Sequence, residues 1–253
     1  MLQEERHNQI LAKLNLEGHV QVKELSQDFK VTEDCIRKDL STLEKNGLLK
    51  RVHGGAIQIR ENLHAINVNE RIEVRLPEKK AIAKKAVELI EPGTMVFLGI
   101  STVCLEIAKL IYQKDLNITL VTNMVDIMNL FTNQSTARVI FIGGKFNQAR
   151  DGFLGTLTIE QIKCFKFDLA FLGVVGINIH EGKVTTYDVD DGLTKKEVLN
   201  SSKKTYLVGE SVKLNLDGNY VFGHLSDFTG YICERKLELN IYNKILDYGI
   251  EII

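Results

Sequence analysis

Apolar residues in the first quarter of the chain fall at helical spacing, and those of the remainder fall in short runs, so two kinds of structure are expected. Ile10, Leu11 and Leu14 share one helical face, and Gly18 closes that segment. Val22, Leu25 and Phe29 recur at spacings of three and four, which predicts a second short helix. Thr32 can cap a third, whose inward face is Ile36, Leu40 and Leu43, with Gly47 just past its end. Leu48 to Gly55 then reads as a strand, a turn at Gly54-Gly55 and a returning strand. Three helices and a hairpin wing within residues 1–57 form a plan suited to gripping DNA.

Residues 58–76 are charged and weakly patterned, and are read as a linker. Pro77 opens a helix that runs through Ile82, Ala86 and Leu89 to Gly93. From there strands and helices alternate. Strands are expected at 95–98, 118–121, 139–142, 169–172 and 205–208, with helices at 102–111, 124–131 and near 192–201. This order predicts, for residues 77–253, an α/β domain with a largely parallel sheet.

Composition narrows the picture only modestly. The net charge is -1, so no general attraction draws the chain to nucleic acid, and any DNA contact must come from a local patch. Residues 1–57 hold nine Lys or Arg and nine Asp or Glu, so the small domain is not basic as a whole. The four cysteines, Cys35, Cys104, Cys164 and Cys233, stand far apart without a CxxC pair or a histidine cluster. They read as reduced, buried small side chains, and neither a metal nor a cofactor is expected. No apolar run approaches the roughly 18 residues that cross a bilayer, and the first residues are not a signal peptide, so a cytoplasmic protein is expected.

The third helix would expose Glu33, Asp34, Arg37, Lys38 and Ser41. Arg37 and Lys38 can enter a major groove, where an arginine grips guanine O6 and N7 or a phosphate. Lys50, Arg51 and His53 make a second cluster on the wing, suited to phosphates or a minor groove. The same helix carries Glu33–Arg37 and Asp34–Lys38 pairs at i,i+4, which an ordinary solvated helix also carries.

The wording of residues 31–56 resembles the helix-turn-helix signature of the deoxyribonucleoside-repressor (DeoR) family. The matching residues are Val31, Thr32, Ile36, Arg37, Lys38, Asp39, Leu40, Leu43, Glu44, Gly47, Arg51, His53, Gly54, Gly55 and Ala56. Cys35 stands where that family usually has threonine, so a threonine contact to phosphate would be lost here. The resemblance implies DNA contacts from Thr32, Arg37, Lys38, Ser41, Lys50, Arg51 and His53. It also implies a double-stranded operator as partner; because one short helix in one groove offers too little specific surface, a dimer or tetramer reading repeated half-sites is expected.

The likeness extends more weakly over the larger domain, to the DeoR-type sensor, itself similar in fold to sugar-phosphate isomerases and coenzyme A transferases. Leu120 to Asn123, Gly143-Gly144, Asp168 to Gly173, Gly176-Ile177, Val184 to Thr186, Lys195 and Glu210 to Lys213 carry it. The first loop departs: Gly99 to Cys104 replaces a small, hydroxyl-rich phosphate cradle, and Val175 stands where an aspartate is common. The resemblance implies an effector, a phosphorylated sugar or sugar alcohol, held by Thr102, Asn123, Lys195, Glu210 and Lys213. Lys213 falls at the family's phosphate-lysine position. Taken alone, Lys195 with Lys196 reads as a solvated helix face, and Asp188, Asp190 and Asp191 as a solvated loop or helix start. The expected function is repression of a carbohydrate-metabolism operon. Two alternatives are a regulator whose sensor serves only oligomerisation and an isomerase-like enzyme, but no P-loop, G-x-G-x-x-G, complete G-x-S-x-G or H-E-x-x-H occurs.

Overall fold

A computed structural model describes residues 3–46, 48–57, 68–133, 135–149, 151–214 and 216–253. Gly47 and most of the charged stretch 58–76 lie outside these residues. The chain divides into two compact units, one built on residues 1–61 and the other on 62–213 and 217–253.

The first unit holds α1 (Gln3–Glu17), β1 (His19–Gln21), α2 (Val22–Phe29), α3 (Glu33–Lys45), β2 (Lys50–Val52) and β3 (Gly55–Ile57). Its core is the apolar set expected from periodicity: Ile10, Leu14, Val22, Leu25, Ile36, Leu40 and Leu43, joined by Val20, Leu49 and Ala56. Strand β1 escapes sequence reading because three residues are too short to show a period. It pairs with β3, so β3 runs between β1 and β2. The wing turn is therefore His53-Gly54, with Gly54 at φ 80°, and Gly55 already belongs to β3. A side chain on Gly55 would place its Cβ 2.0 Å from the carbonyl oxygen of Val20, so this position answers to strand approach and not to turning.

One buried charge network holds α1 to α3. Asp39, 1% exposed, accepts from Arg6 Nε at 2.5 Å and Arg6 Nη2 at 3.1 Å, and pairs with His7 Nε2 at 3.0 Å. Cys35 Sγ lies 4.0 Å from the same carboxylate, so its side chain is turned toward the α1–α3 network. Burial pushes the Asp39 carboxyl up, but the bonds and charges of Arg6 and His7 outweigh it and hold the group below its ordinary value.

The second unit opens with α4 (Val68–Glu73), in a stretch where the sequence suggested a linker, and α5 (Leu76–Glu88). Then come β4 (Met95–Leu98), α6 (Thr102–Gln113), β5 (Thr119–Thr122), α7 (Val125–Leu130) and β6 (Arg138–Phe141). A hairpin of β7 (Lys145–Asn147) and β8 (Gly152–Leu154) and helix α8 (Thr156–Ile162) precede β9 (Phe167–Gly173). Strands β10 (Gly176–Asn178) and β11 (Lys183–Thr186) lead to α9 (Val189–Asn200), β12 (Ser202–Val208), β13 (Tyr220–His224) and β14 (Gly230–Ile232). Helix α10 (Leu239–Leu246) and β15 (Glu251–Ile252) end the chain.

Seven strands form one sheet in the order β15-β14-β12-β9-β4-β5-β6, every neighbouring pair parallel. The fold class expected from alternation is thus found. Apolar residues of α5 and α6 cover one face of the sheet, with Ile82, Ala86, Ile107 and Ile111 fully buried against Leu98, Leu120 and Phe171. A small antiparallel sheet, β10-β11-β13, and the β7–β8 hairpin were not foreseen, since their strands of three to five residues carry no clear alternation.

Removing Asp39 leaves Arg6 buried without its carboxylate, and breaking such a pair costs about 3–5 kcal/mol. Asp39→Ala should therefore lower the melting midpoint of the first unit at neutral pH, measured by circular dichroism or calorimetry on the whole chain. Because the folded carboxyl titrates below its unfolded value, its contribution is full above about pH 4 and is lost as pH falls through the folded value. The gap between wild type and variant should narrow on acidification; a gap constant down to strong acid would contradict the network's charge state.

Candidate functional site

Helix α3 begins with Thr32, whose hydroxyl accepts from the Cys35 amide at 3.3 Å and keeps its own hydrogen for an outside acceptor. With Ile36, Leu40 and Leu43 inward, Arg37 and Lys38 are exposed and Ser41 is half-buried. Arg37 Nη2 meets Glu33 at 2.7 Å and Nη1 meets Asp34 at 2.7 Å, so one arginine takes both acids of the first turn. These pairs are solvent-exposed, each worth about 0–1 kcal/mol, and they yield readily to a phosphate or base edge. On the wing, Lys50, Arg51 and His53 are exposed, and the Arg51 amide donates to Glu44 Oε1 at 2.8 Å, tying β2 to α3. The seven residues selected for DNA contact thus come from two elements joined by a hydrogen bond.

In the second unit, parallel pairing sends the loops after β4, β5, β9 and β12 to the same edge of the sheet. The first loop gives Ser101, which caps α6 by accepting from the Val103 amide at 3.2 Å, and half-buried Thr102. Ile100 is not idle: a side chain on Gly152 would set its Cβ 2.4 Å from Ile100 Cδ1 and 2.6 Å from the Asn123 carbonyl. The β7–β8 hairpin therefore packs directly on the first loop. Cys104 is fully buried beside it and directs Sγ to the Phe171 carbonyl at 3.5 Å. Burial pushes this thiol up to about 12 against the opposing pull of Lys195, Ser101 and two backbone amides, so it stays protonated.

The loop after β5 divides its work. Thr122 Oγ1 donates to the Leu98 carbonyl at 2.8 Å, a bond within the sheet. Asn123, 2% exposed, donates from Nδ2 to the Phe153 carbonyl at 2.8 Å, and its own carbonyl accepts from the Phe153 amide at 2.9 Å. Its Oδ1 is buried with no hydrogen-bond partner among the described residues. Gly143-Gly144 is a packing turn, where the Gly143 carbonyl accepts from Thr158 Oγ1 at 2.9 Å and Gln161 Nε2 at 3.1 Å. Asp168 stands at the opposite edge of the sheet, joined to the Met95 amide at 3.0 Å and Lys203 at 2.8 Å.

Lys195 is not on a solvated face. It is buried on α9 and paired with Asp191 at 2.7 Å, 5.4 Å from the centre of the Phe222 ring, while Lys196 beside it is exposed. Thr186 Oγ1 donates to the same Asp191 oxygen at 2.5 Å. Of the acidic run, Asp188 caps α9 through the Asp191 amide at 2.9 Å, as a helix start should, but Asp191 is interior. Thr185 bridges the Gly176 carbonyl and the Gly218 amide. Sequence reading missed Asp191's role because its i,i+4 spacing to Lys195 is the same in a solvated pair and in a buried one.

After β12, Glu210 and Lys213 are buried at 6% and 9% exposure, Glu210 just before and Lys213 at the end of a single helical turn, Ser211–Lys213. The Lys213 stem lies back over the strand end, its Cγ 3.5 Å from where a Gly209 Cβ would be. Glu234 and Arg235, also unforeseen, hold this turn: Ser211 donates through N and Oγ to Glu234 at 2.7 and 2.6 Å and accepts from Arg235 Nε at 2.8 Å. Tyr231 donates to the Gly209 and Glu210 carbonyls at 2.8 and 3.0 Å. Thr102, Asn123, Glu210 and Lys213 follow strands of one edge, while the described contacts of Lys195 are to Asp191 and the Phe222 ring. Of the cysteines, Cys104 and Cys233 are buried, Cys35 is half-buried, and Cys164 is exposed against expectation. No helix among the described residues is long and apolar enough to cross a membrane.

Comparison with known proteins fits both halves. Residues 6–62 match the DeoR-like helix-turn-helix domain, and residues 75–235 match the DeoR C terminal sensor domain. A putative aga operon transcriptional repressor of Escherichia coli O157:H7 is 30% identical over 98% of this chain and 93% of its own length. The glycerol-3-phosphate regulon repressor of Escherichia coli K12 is 27% identical over 100% and 99%. Among solved structures, ribose 5-phosphate isomerase A from Methanocaldococcus jannaschii covers 58% of this chain and 55% of its own, at 15% identity and a TM-score of 0.39. With its sensor domain matched over more than half the chain and its head matched before it, this protein belongs to the DeoR family of transcriptional regulators.

Proposed function

We propose that the chain is a cytoplasmic, sequence-specific DNA-binding repressor of a carbohydrate-metabolism operon, released or tightened on its operator by a phosphorylated sugar or sugar alcohol. Residues 1–57 act as the DNA-binding domain, 58–76 as the connection and 77–253 as the sensor. The observation that carries the sensing half is the buried, unpartnered Asn123 Oδ1 at the loop edge that also holds Lys213. A buried acceptor without a donor costs about 1–3 kcal/mol, which a ligand hydroxyl would relieve. A phosphate needs a positive partner, and Lys213 and Lys195 are the two proposed for it. Thr102 and Glu210 would complete the contacts. The apolar Ile100 and Val103 favour a ligand with few hydrogen-bonding groups on the side of the first loop. The named relatives, repressors of an aga operon and a glycerol-3-phosphate regulon, set the class to be tested.

A second reading has its own support. Lys195 is already neutralised by Asp191, and Ile100 packs where a cradle of small residues would be open. A sensor in this state would serve mainly to join subunits. An enzymatic role is not proposed: of the acidic run, Asp188 is committed to a helix cap and Asp191 to an ion pair. Thermal shift and gel shift with a panel of sugar phosphates separate the readings. A compound that moves both supports sensing, silence across the panel supports the joining role, and turnover would require an enzyme.

Three outcomes are expected. Arg37→Ala should lose about 1–3 kcal/mol of operator binding while Lys50→Ala and Arg51→Ala weaken all sequences and flatten the salt dependence. Equal loss on operator and random DNA would make Arg37 a phosphate contact. The DNA-bound form should be a dimer or tetramer on half-sites spaced by whole helical turns, since one short helix offers too little specific surface. Sedimentation showing a tight monomeric complex would oppose this. Finally, Lys213→Ala should abolish the sugar-phosphate response with operator affinity of the free protein nearly unchanged; a normal response would remove Lys213 from the site.

A further inference from the structure

Between α2 and α3 the chain bends at Lys30, which takes φ 54° and ψ 45°. That left-handed conformation suits glycine, because a Cβ crowds the backbone there. Hydrogen bonds fix the bend all the same. The Lys30 amide donates to the Gln27 carbonyl at 3.3 Å, and the Val31 amide reaches back to the Ser26 carbonyl at 3.1 Å. Phe29 and Val31, on either side, pack against the core of the first unit, while Lys30 between them is exposed. The turn is thus anchored by its neighbours and gives the Lys30 side chain to solvent.

The other non-glycine residues at positive φ are Arg75, Asp115 and Asp151. Both aspartates use their side chains to hold the fold. Asp115 Oδ1 accepts from the Thr136 amide at 2.7 Å, and Asp151 Oδ2 accepts from the Asp126 amide at 2.9 Å. The Lys30 side chain has no such bond and no ion pair among the described residues. Its carboxylate neighbours in sequence are already taken. Asp28 holds Lys13 at 2.6 Å, and Glu33 and Asp34 each hold Arg37 at 2.7 Å. The fold therefore leaves the Lys30 ammonium without a counterion, two residues before the exposed Thr32 that caps α3.

We infer that Lys30 is a further DNA-contact residue, whose ammonium takes a backbone phosphate beside the groove that α3 enters. The inference rests on the reading of α3 as the DNA-contacting helix, and it extends that helix's basic face to the turn before it. A side chain held in a disfavoured conformation, with no internal partner, is accounted for by a partner outside the fold. A point charge on a flexible stem suits a phosphodiester and reads no base edge. Lys30 would therefore add affinity for every sequence and leave discrimination to Arg37.

Fluorescence anisotropy of the full chain on a labelled duplex of arbitrary sequence, over a series of sodium chloride concentrations, tests this. Lys30→Gly should bind about three- to tenfold more weakly at low salt, and its slope of log affinity against log salt should flatten by about one. Its melting midpoint should equal or exceed that of the wild type, because glycine accepts the left-handed backbone without crowding. Lys30→Arg should keep both affinity and slope. Arg75→Gly, the matched change at the exposed left-handed cation of the second unit, should alter neither. An unchanged slope in Lys30→Gly overturns the inference, and so does an equal loss in Arg75→Gly, which would make net charge the cause. A lowered midpoint in Lys30→Gly overturns it as well, by giving the side chain a part in the fold. If the wild type binds no duplex at any salt, the DNA reading of the first unit fails and the inference falls with it.

Discussion

Parallel pairing is the constraint on which the rest of the larger unit depends. A parallel neighbour can be reached only by a crossover, so each strand is followed by chain that must leave at the same edge of the sheet. Residues far apart in sequence, Ser101, Asn123, Gly173 and Lys213, are gathered there by topology alone. The central strands, covered on both faces, are nearly continuous apolar runs such as Phe97-Leu98 and Ala170-Phe171-Leu172, which is the pattern such strands require. Polar groups then concentrate where the strands end, because only there can their hydrogen bonds be met by loops.

The smaller unit solves a different problem. It has a slight core and must present a charged helix at a fixed angle, and it does so with a buried carboxylate instead of more apolar surface. Asp39, next in the signature after Arg37 and Lys38, faces the interior and fastens α3 to α1 through Arg6 and His7. The neighbouring Arg37 and Lys38 are left to solvent by the same helical geometry. One turn of helix thus separates a residue that holds the fold from residues that can meet a partner.

This division also explains how far sequence reading went. Ile36, Leu40 and Leu43 announce α3 because their period is local, and β4, α6, β5 and β9 announce themselves for the same reason. Thr32 as a cap and Asp188 at the start of α9 were legible from short-range rules. The buried charges were not. Asp39 answers to a residue thirty-three positions away, Asp191 to Thr186 and Lys195 inside the fold, and Lys79 to carbonyls of α4. A string shows Lys195 and Lys196 as equals, and only packing against Asp191 and Phe222 separates them. The short strands β1, β10 and β11 were missed because pairing with a distant partner, not any preference of their own residues, makes them strands.

The two acids that hold Arg37 have a consequence for how the protein would move among non-cognate sequences. Glu33 and Asp34 serve as counterions built into the chain, so the arginine meets DNA already neutralised. A phosphate contact by Arg37 would still release cations condensed on the duplex, but the two carboxylates left beside the DNA would offset part of that gain, and the drive onto any duplex would be correspondingly reduced. With a net charge of -1 behind it, the chain has little reason to linger on arbitrary sequence. Residence would then depend in part on how well a base edge competes with two exposed carboxylates, a small bias that adds to the discrimination made by the base contacts themselves.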